Sequence, residues 1–218
     1  MKIAYELEKR QDFYFPVNDD HFSGEEYQKP HRTRSLQFVD DFDVALDVGS
    51  HVGTWAVDLC NMFNKVYCFE PIEIHRECLT RNLSGFPSDR FEILPYALGA
   101  ENDVEIALEY AAEGNSGTAS ITTDVKQGEY KAVLKTLDSF DFEKIDYIKV
   151  DVEGFELQFL KGAEQTIKRT KPVINIEIKN TCERFGTTQQ EIADYLVADL
   201  GMDCVARTVA DYIFVYHT

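Results

Sequence analysis

The stretch Ala45-Leu-Asp-Val-Gly-Ser-His-Val-Gly-Thr-Trp55 combines an acid, two glycines and a short polar run at the end of an apolar segment. Gly49 and Gly53 permit a tight turn and the close approach of a ligand to the backbone. A buried strand entering this turn and a helix leaving it would aim backbone N–H groups and the helix N-terminus into a crevice. Asp47, at the strand end, can accept hydrogen bonds from an ammonium group or organise the loop. Glu70 closes the apolar run Val66-Tyr-Cys-Phe69. It follows Gly49 by about 20 residues, the interval at which dinucleotide folds place the acid that accepts ribose hydroxyls. Turn and acid together describe a site for an adenosine-bearing cofactor. The 49/53 glycine spacing is not the dinucleotide fingerprint G-x-G-x-x-G, and Glu70 would repel the 2′-phosphate of NADP.

A second constellation lies in Lys149-Val-Asp-Val-Glu-Gly-Phe-Glu156. It puts Asp151 and Glu153 where a later strand leaves the sheet, and ligands of open α/β sheets bind at the carboxyl ends of strands. One of the pair can act as general base and the other as substrate ligand, and both could bind a metal. The competing reading is a pair of acids that cap the next helix and are stabilised by its dipole. Glu177 ends the following strand and could bind a polar substrate, or simply pair with a nearby lysine. His51 lies inside the glycine turn, where cofactor contact is the better expectation than catalysis. His21, His31, His75 and His217 show no H-x-x-x-H or other ligand spacing, so no metal site is expected among them. Leu94-Pro-Tyr96 has a superficial likeness to the Pro-Pro-Tyr element of amino-methylating DNA enzymes. It follows the third strand rather than the fourth and lacks the first polar residue. There is no Walker lysine motif and no G-x-S-x-G.

These residues need strands and helices in alternation to hold them. Val44–Val48, Val66–Phe69, Phe91–Leu94, Ile145–Val150 and Val173–Ile178 read as short buried strands. Thr54–Phe63, Ile74–Leu83 and a segment from about Gly154 have helical apolar spacing. Thr188-Gln-Gln-Glu191 forms a capping box for a last helix, stopped by Gly201. Such alternation implies a parallel sheet with helices on both faces. Cys204–Thr208 and Tyr212–Tyr216 lie close enough to form a terminal hairpin. Residues 1–40 read as an N-terminal arm, holding the acidic pair Asp19-Asp20 and one short helix near 32–39. Between 101 and 135, Val104, Ile106 and Leu108 alternate with polar residues, and glycines punctuate the segment. It reads as inserted β-hairpins facing the substrate.

The 218 residues suffice for one generous domain, 41–218, with a full core. The balance of 22 basic against 39 acidic residues gives a net charge of −17, which repels phosphate backbones and disfavours a nucleic-acid partner. Five cysteines with no C-x-x-C pair, mostly in apolar patterns, suit buried free thiols in a reducing compartment. No apolar run reaches the roughly 18 residues of a membrane span, and no signal-peptide core is visible. A cytoplasmic location is the expectation.

With these motifs, the chain resembles the FkbM family of class I S-adenosylmethionine-dependent methyltransferases. The resemblance covers about residues 43–180. Its most specific parts are Thr136-Leu-Asp138, Ile148–Glu156, Leu160-Lys-Gly-Ala163 and Pro172–Glu177, joined by the earlier Asp47–Gly53 and Phe69-Glu-Pro71. It implies a Rossmann-like α/β three-layer sandwich. The sheet would be mostly parallel and seven-stranded, with an antiparallel terminal hairpin and the inserted β-hairpin region. It assigns S-adenosylmethionine to Asp47, Gly49, Ser50, His51, Gly53 and Thr54 of the turn, to Glu70 and Pro71, and to Tyr96 and Ala97 beside the adenine. Asp151 and Glu153 would be catalytic, with Asp151 as base, and Glu177 would bind a saccharide or other small-molecule acceptor. The chain departs from the family at Ser50-His51, where Ala-Asn is common. Other classes remain open at this stage: an NAD-dependent dehydrogenase or epimerase, a non-enzymatic cofactor-binding relative, and a nucleic-acid methyltransferase.

Overall fold

The structure, a computed structural model, describes residues 5–19, 29–112, 114–122 and 128–216. Asp20, His21 and His217 lie outside the described residues, as do 113 and 123–127 of the inserted region. Near the N-terminus, β1 (Leu7–Arg10) and β2 (Phe13–Pro16) form an antiparallel hairpin, followed by α1 (Lys29–Leu36). The hairpin was not expected in the arm. Phe13 and Phe15 bury one face of β2 against Val52 and Cys78, and that burial fixes a segment whose own sequence shows little period.

The alternating part then runs β3 (Val44–Val48), α2 (Thr54–Met62), β4 (Lys65–Phe69), α3 (Glu73–Asn82) and β5 (Phe91–Leu94). β6 (Tyr96–Leu98) follows directly, and the inserted segment contributes β7 (Val104–Tyr110), β8 (Ala119–Ile121) and β9 (Tyr130–Lys135). The chain returns through β10 (Tyr147–Val150), α4 (Glu156–Gly162), α5 (Glu164–Thr170) and β11 (Val173–Glu177). It continues with α6 (Gln189–Asp194), which passes into a π-helical turn over Tyr195–Asp199, then β12 (Asp203–Arg207) and β13 (Asp211–Val215). Thr188 and Glu191 make the expected capping box at the start of α6.

Seven strands form the main sheet in the order β12-β13-β11-β10-β3-β4-β5. The five inner and right-hand strands are parallel, and the terminal hairpin adds two antiparallel ones. One face carries Leu46, Val48, Ile148, Val150, Ile174 and Ile176 against Phe159, Leu160, Ile167, Ile192 and Leu196. The other carries Ala45, Val66 and Tyr147 against Trp55, Leu59, Phe63 and Leu79. Each fully buried large apolar side chain contributes about 1.5–3 kcal/mol, so these two layers hold the sheet between the helices.

The inserted segment is more than added hairpins. It forms a second, four-stranded sheet, β6-β9-β7-β8, in which β6 runs parallel to β9. Ile72 of the main fold packs with Ala97, Ile106, Leu108, Ala132 and Leu134 of this sheet. The sheet is thereby anchored beside the ends of β4 and β5. The chain moves one way from β3 through β4 to β5, then returns on the other side of β3 as β10. The carboxyl ends of β3 and β10 thus flank the switch point at which α/β sheets open a crevice.

Candidate active site

Between β3 and α2 the backbone turns with Gly49 at φ 77°, His51 at 50° and Gly53 at 93°, all left-handed. A Cβ on Gly49 would stand 1.9 Å from the Asp151 carbonyl oxygen, so only glycine lets the two loops meet. The loop amides do not point into the crevice as expected. Gly49 N–H and Ser50 N–H donate to the Phe69 carbonyl at 3.0 and 3.1 Å, His51 N–H to Glu70 at 2.8 Å, and Gly53 N–H to the Ser50 carbonyl at 2.8 Å. They stitch the turn to the end of β4, because that strand end leaves acceptors the turn can reach.

Glu70 is 4% exposed and lines the crevice. Its Oε2 accepts from His51 N–H and its Oε1 from Ile72 N–H, each at 2.8 Å, and His75 Nδ1 lies 3.3 Å from Oε1. Burial alone would raise its pKa. The His75 ring and the two N–H groups outweigh burial and hold the carboxyl below its ordinary range. Around it the wall is Ser50, His51, Thr54 and Trp55 on one side and Pro71, Ile72, Tyr96, Ala97 and Leu98 on the other. The N-terminus of α2 has no side-chain cap and opens on this space.

Asp47 is wholly buried behind the turn and is not in the crevice wall. Neither of its carboxylate oxygens has a hydrogen-bond partner among the described residues, and Lys149 Nζ lies 3.5 Å from Oδ1. The two are cross-strand neighbours, Asp47 on β3 opposite Lys149 on β10. Lys149 Nζ also donates to the Gly49 carbonyl at 2.9 Å and lies 3.7 Å from Asp151 Oδ2. Asp47 thus faces the ammonium that holds the turn at Gly49, and it does not reach the crevice wall. Burial pushes its carboxyl up. Gly53 is likewise outside the wall, packed against Leu79.

Beyond the turn, Asp151 and Glu153 line the crevice with 27% and 13% side-chain exposure. Neither caps α4, whose N-cap position is Phe155 without a side-chain bond. Glu177 is not in the crevice wall but stands just behind it. Carboxylate oxygens of Asp151, Glu153 and Glu177 all lie within 4.8 Å of one another. Lys179 enters the same space, 3.0 Å from Glu153 Oε1 and 2.7 Å from Glu177 Oε2. Burial and the neighbouring Asp151 push Glu177 up to about 9, against the pull of Lys179, and raise Glu153 as well. Burial disfavours the Lys179 charge, but the Asp151, Glu177 and Glu153 carboxylates outweigh it and keep the amine protonated.

Sequence reasoning passed over several residues here. Lys149 is a charge inside the apolar run Ile148–Val150, which marks a buried counter-charge. Lys179 follows Glu177 by two residues, the strand interval that puts side chains on one side. No local pattern announces the rest of the roof. Ser116, from the turn between β7 and β8, donates its N–H and its hydroxyl to Asp19 of the arm, and its oxygen accepts from His51 Nε2 at 2.6 Å. His51 meets His75 edge-on at 4.6 Å, and His75 Nε2 bonds the Tyr110 hydroxyl at 3.0 Å.

The fold and the crevice at its switch point define a Rossmann-like class I methyltransferase. The profile of the methyltransferase FkbM domain matches residues 47–205, and the chain belongs to the FkbM methyltransferase family. It is 30% identical over 146 residues to the hexuronic acid methyltransferase AglP of Haloferax volcanii. That match takes in 64% of this chain and 57% of the relative's length. In fold it is similar to the methyltransferase FkbM from Methylobacillus flagellatus, with TM-score 0.57 and 18% identity. That similarity covers 80% of this chain and 43% of the other. A putative methyltransferase from Streptococcus mutans, solved in complex with SAH, aligns with TM-score 0.50 and 11% identity over 89% of this chain and 97% of its own. The family match sides with methyl transfer over the nicotinamide alternative.

Proposed function

We propose that the chain is an S-adenosylmethionine-dependent O-methyltransferase acting on a hydroxyl of a sugar or another small metabolite. The observation that carries this reading is one crevice holding an anchored Glu70 at one end and the Asp151–Glu153 pair at the other. The residues fit the cofactor. Glu70 keeps acceptor capacity for ribose hydroxyls after its two backbone bonds, because a carboxylate offers about four lone-pair sites. Ile72, Ala97 and Leu98 give an apolar slot for adenine beside Pro71 and Tyr96, and Gly49, Ser50, His51 and Thr54 line the side towards α2. Asp47 and Gly53 support that wall from behind. When bound, S-adenosylmethionine supplies an electrophilic methyl group on a sulfonium sulfur.

The chain's own part is alignment and proton removal. Asp151 takes the acceptor hydroxyl proton. Glu153 is tied to Lys179 and is therefore suited to orienting rather than deprotonating. Glu177 braces the same pair and polarises the acceptor side. The inserted segment, whose Ser116, Gly117 and Ser120 line the crevice, selects the acceptor. A small-molecule or saccharide acceptor agrees with the net charge of −17, which disfavours nucleic acid. The resemblance to a hexuronic acid methyltransferase points the same way.

Calorimetric titration with S-adenosylhomocysteine and with NAD, followed by methyl transfer to a sugar panel, tests the reading. Binding of NAD alone would sink it. Asp151→Asn is expected to keep cofactor binding and to lose about 10²–10⁴-fold in turnover. Full turnover in that variant would remove Asp151 as the base.

A further inference from the structure

Asp151 and Glu153 leave β10, Glu177 ends β11, and their carboxylate oxygens converge within 4.8 Å. Three converging carboxylates are the donor set of a divalent-cation cage. In this chain the cage already contains a cation. Lys179 Nζ bridges Glu153 and Glu177 at 3.0 and 2.7 Å, the lengths of charge-assisted hydrogen bonds. A dication binding the same two oxygens would have to displace this ammonium or bear its repulsion at close range.

We propose that Lys179 is the resident cation of the acceptor site, standing in the place of a divalent metal, so that methyl transfer needs no metal ion. The assignment of this cluster to the acceptor rests on the function proposed above. The ammonium performs two tasks that a metal would otherwise perform. It holds the Glu153 and Glu177 carboxyl groups together through one bond to each, and it offsets the negative charge at the acceptor end of the crevice. Lys179 is a positioning residue: it acts on the acceptor through the carboxylates it orients. The path into this position is short, because Lys179 is two residues beyond Glu177 on the strand's continuation. Glu153 meets it from a backbone held at φ 49° next to Gly154 at φ 108°.

Removing the charge should therefore create a metal site where the native chain has none. Mn2+ titration, followed by electron paramagnetic resonance and calorimetry, reads this without any enzymatic assay. Wild type is expected to bind no Mn2+ tighter than about 1 mM, whereas Lys179→Met binds it at roughly 0.1 mM or better. Lys179→Arg keeps the charge and should stay without metal. In the transfer assay, a chelator should change the wild-type rate by less than about twofold. Lys179→Met should lose about 100-fold, and Mn2+ should restore at least about tenfold of it.

The proposal is overturned if wild type binds Mn2+ near 0.1 mM or loses turnover on chelation. It is equally overturned if Lys179→Met, folded by circular dichroism and binding S-adenosylhomocysteine, takes up no Mn2+. Should that variant fail to fold, Lys179→Gln and the two wild-type measurements decide. If no acceptor is ever methylated, the function above fails, while the Mn2+ titrations still decide the place of Lys179.

Discussion

Glu70 and Glu156 are both buried carboxylates, and their surroundings send them in opposite directions. Glu70 receives two backbone N–H groups and the His75 ring, so it is held ionised in a nearly dry place. Glu70→Gln replaces an acceptor-only group by one with an N–H2 that faces backbone donors. Affinity for S-adenosylhomocysteine is expected to fall about 10- to 100-fold, the value of a hydrogen bond to a charged group. Calorimetry showing an unchanged affinity would remove Glu70 from the cofactor site. Glu156 has one oxygen on the Gly154 N–H at 2.8 Å and the other without a partner among the described residues, and burial pushes it up to about 7. Between the unfolded value near 4.3 and about 7, the native protein holds more protons than the unfolded chain, so stability falls as pH rises through that window. Glu156→Gln cannot ionise and should gain on wild type by about 3 kcal/mol in going from pH 5 to pH 8. Parallel wild-type and variant melting curves across that range would refute this. The charges of Glu70 and Asp151 were legible as residues at strand ends. Their partners were not, because His51, His75, Lys149 and Lys179 come from four different elements or turns.

At the scale of elements, the inner βα units follow from their own patterns. Apolar runs four or five residues long are bounded by turn residues, and the helices between them show one apolar stripe each. The observed bounds differ from those expected by one or two residues, as when the helix expected from Gly154 starts at Glu156. The arm and the insertion are different. Their strands are short, and what fixes them is burial against parts of the chain distant in sequence. They meet at Asp19 and Ser116, whose two hydrogen bonds join arm to inserted sheet directly above His51. Asp19→Ala cuts that strap while leaving the main sheet alone. We expect S-adenosylhomocysteine to bind about 3- to 10-fold more weakly through faster dissociation. Stopped-flow release at the wild-type rate would show that the strap does not retain the cofactor. Val209→Ser, at the 98% exposed tip of the terminal hairpin, should leave release unchanged.

For the whole molecule, a charge of −17 spread over one fold produces self-repulsion that salt relieves. Raising NaCl from about 0.01 to 0.15 M shortens the screening length from roughly 30 to 8 Å. The thermal midpoint should rise by a few degrees, and a fall would mean that attractive surface pairs such as Lys144 with Asp41 and Asp43 dominate instead. Among the described residues no helix is long and apolar enough to cross a membrane. Four of the cysteines are buried as their apolar settings suggested, and Cys204 is the exposed exception. The sequence by itself determined the βα order, the glycine turn and the acids at four strand ends, because strand and helix periods and the steric freedom of glycine act locally. Only the tertiary structure decided which donors the turn keeps for itself and that Asp47 works from behind the crevice wall. It also decided that Asp151, Glu153 and Glu177 gather around Lys179. Those outcomes depend on register across the sheet and on contacts between distant segments, and local pattern carries neither.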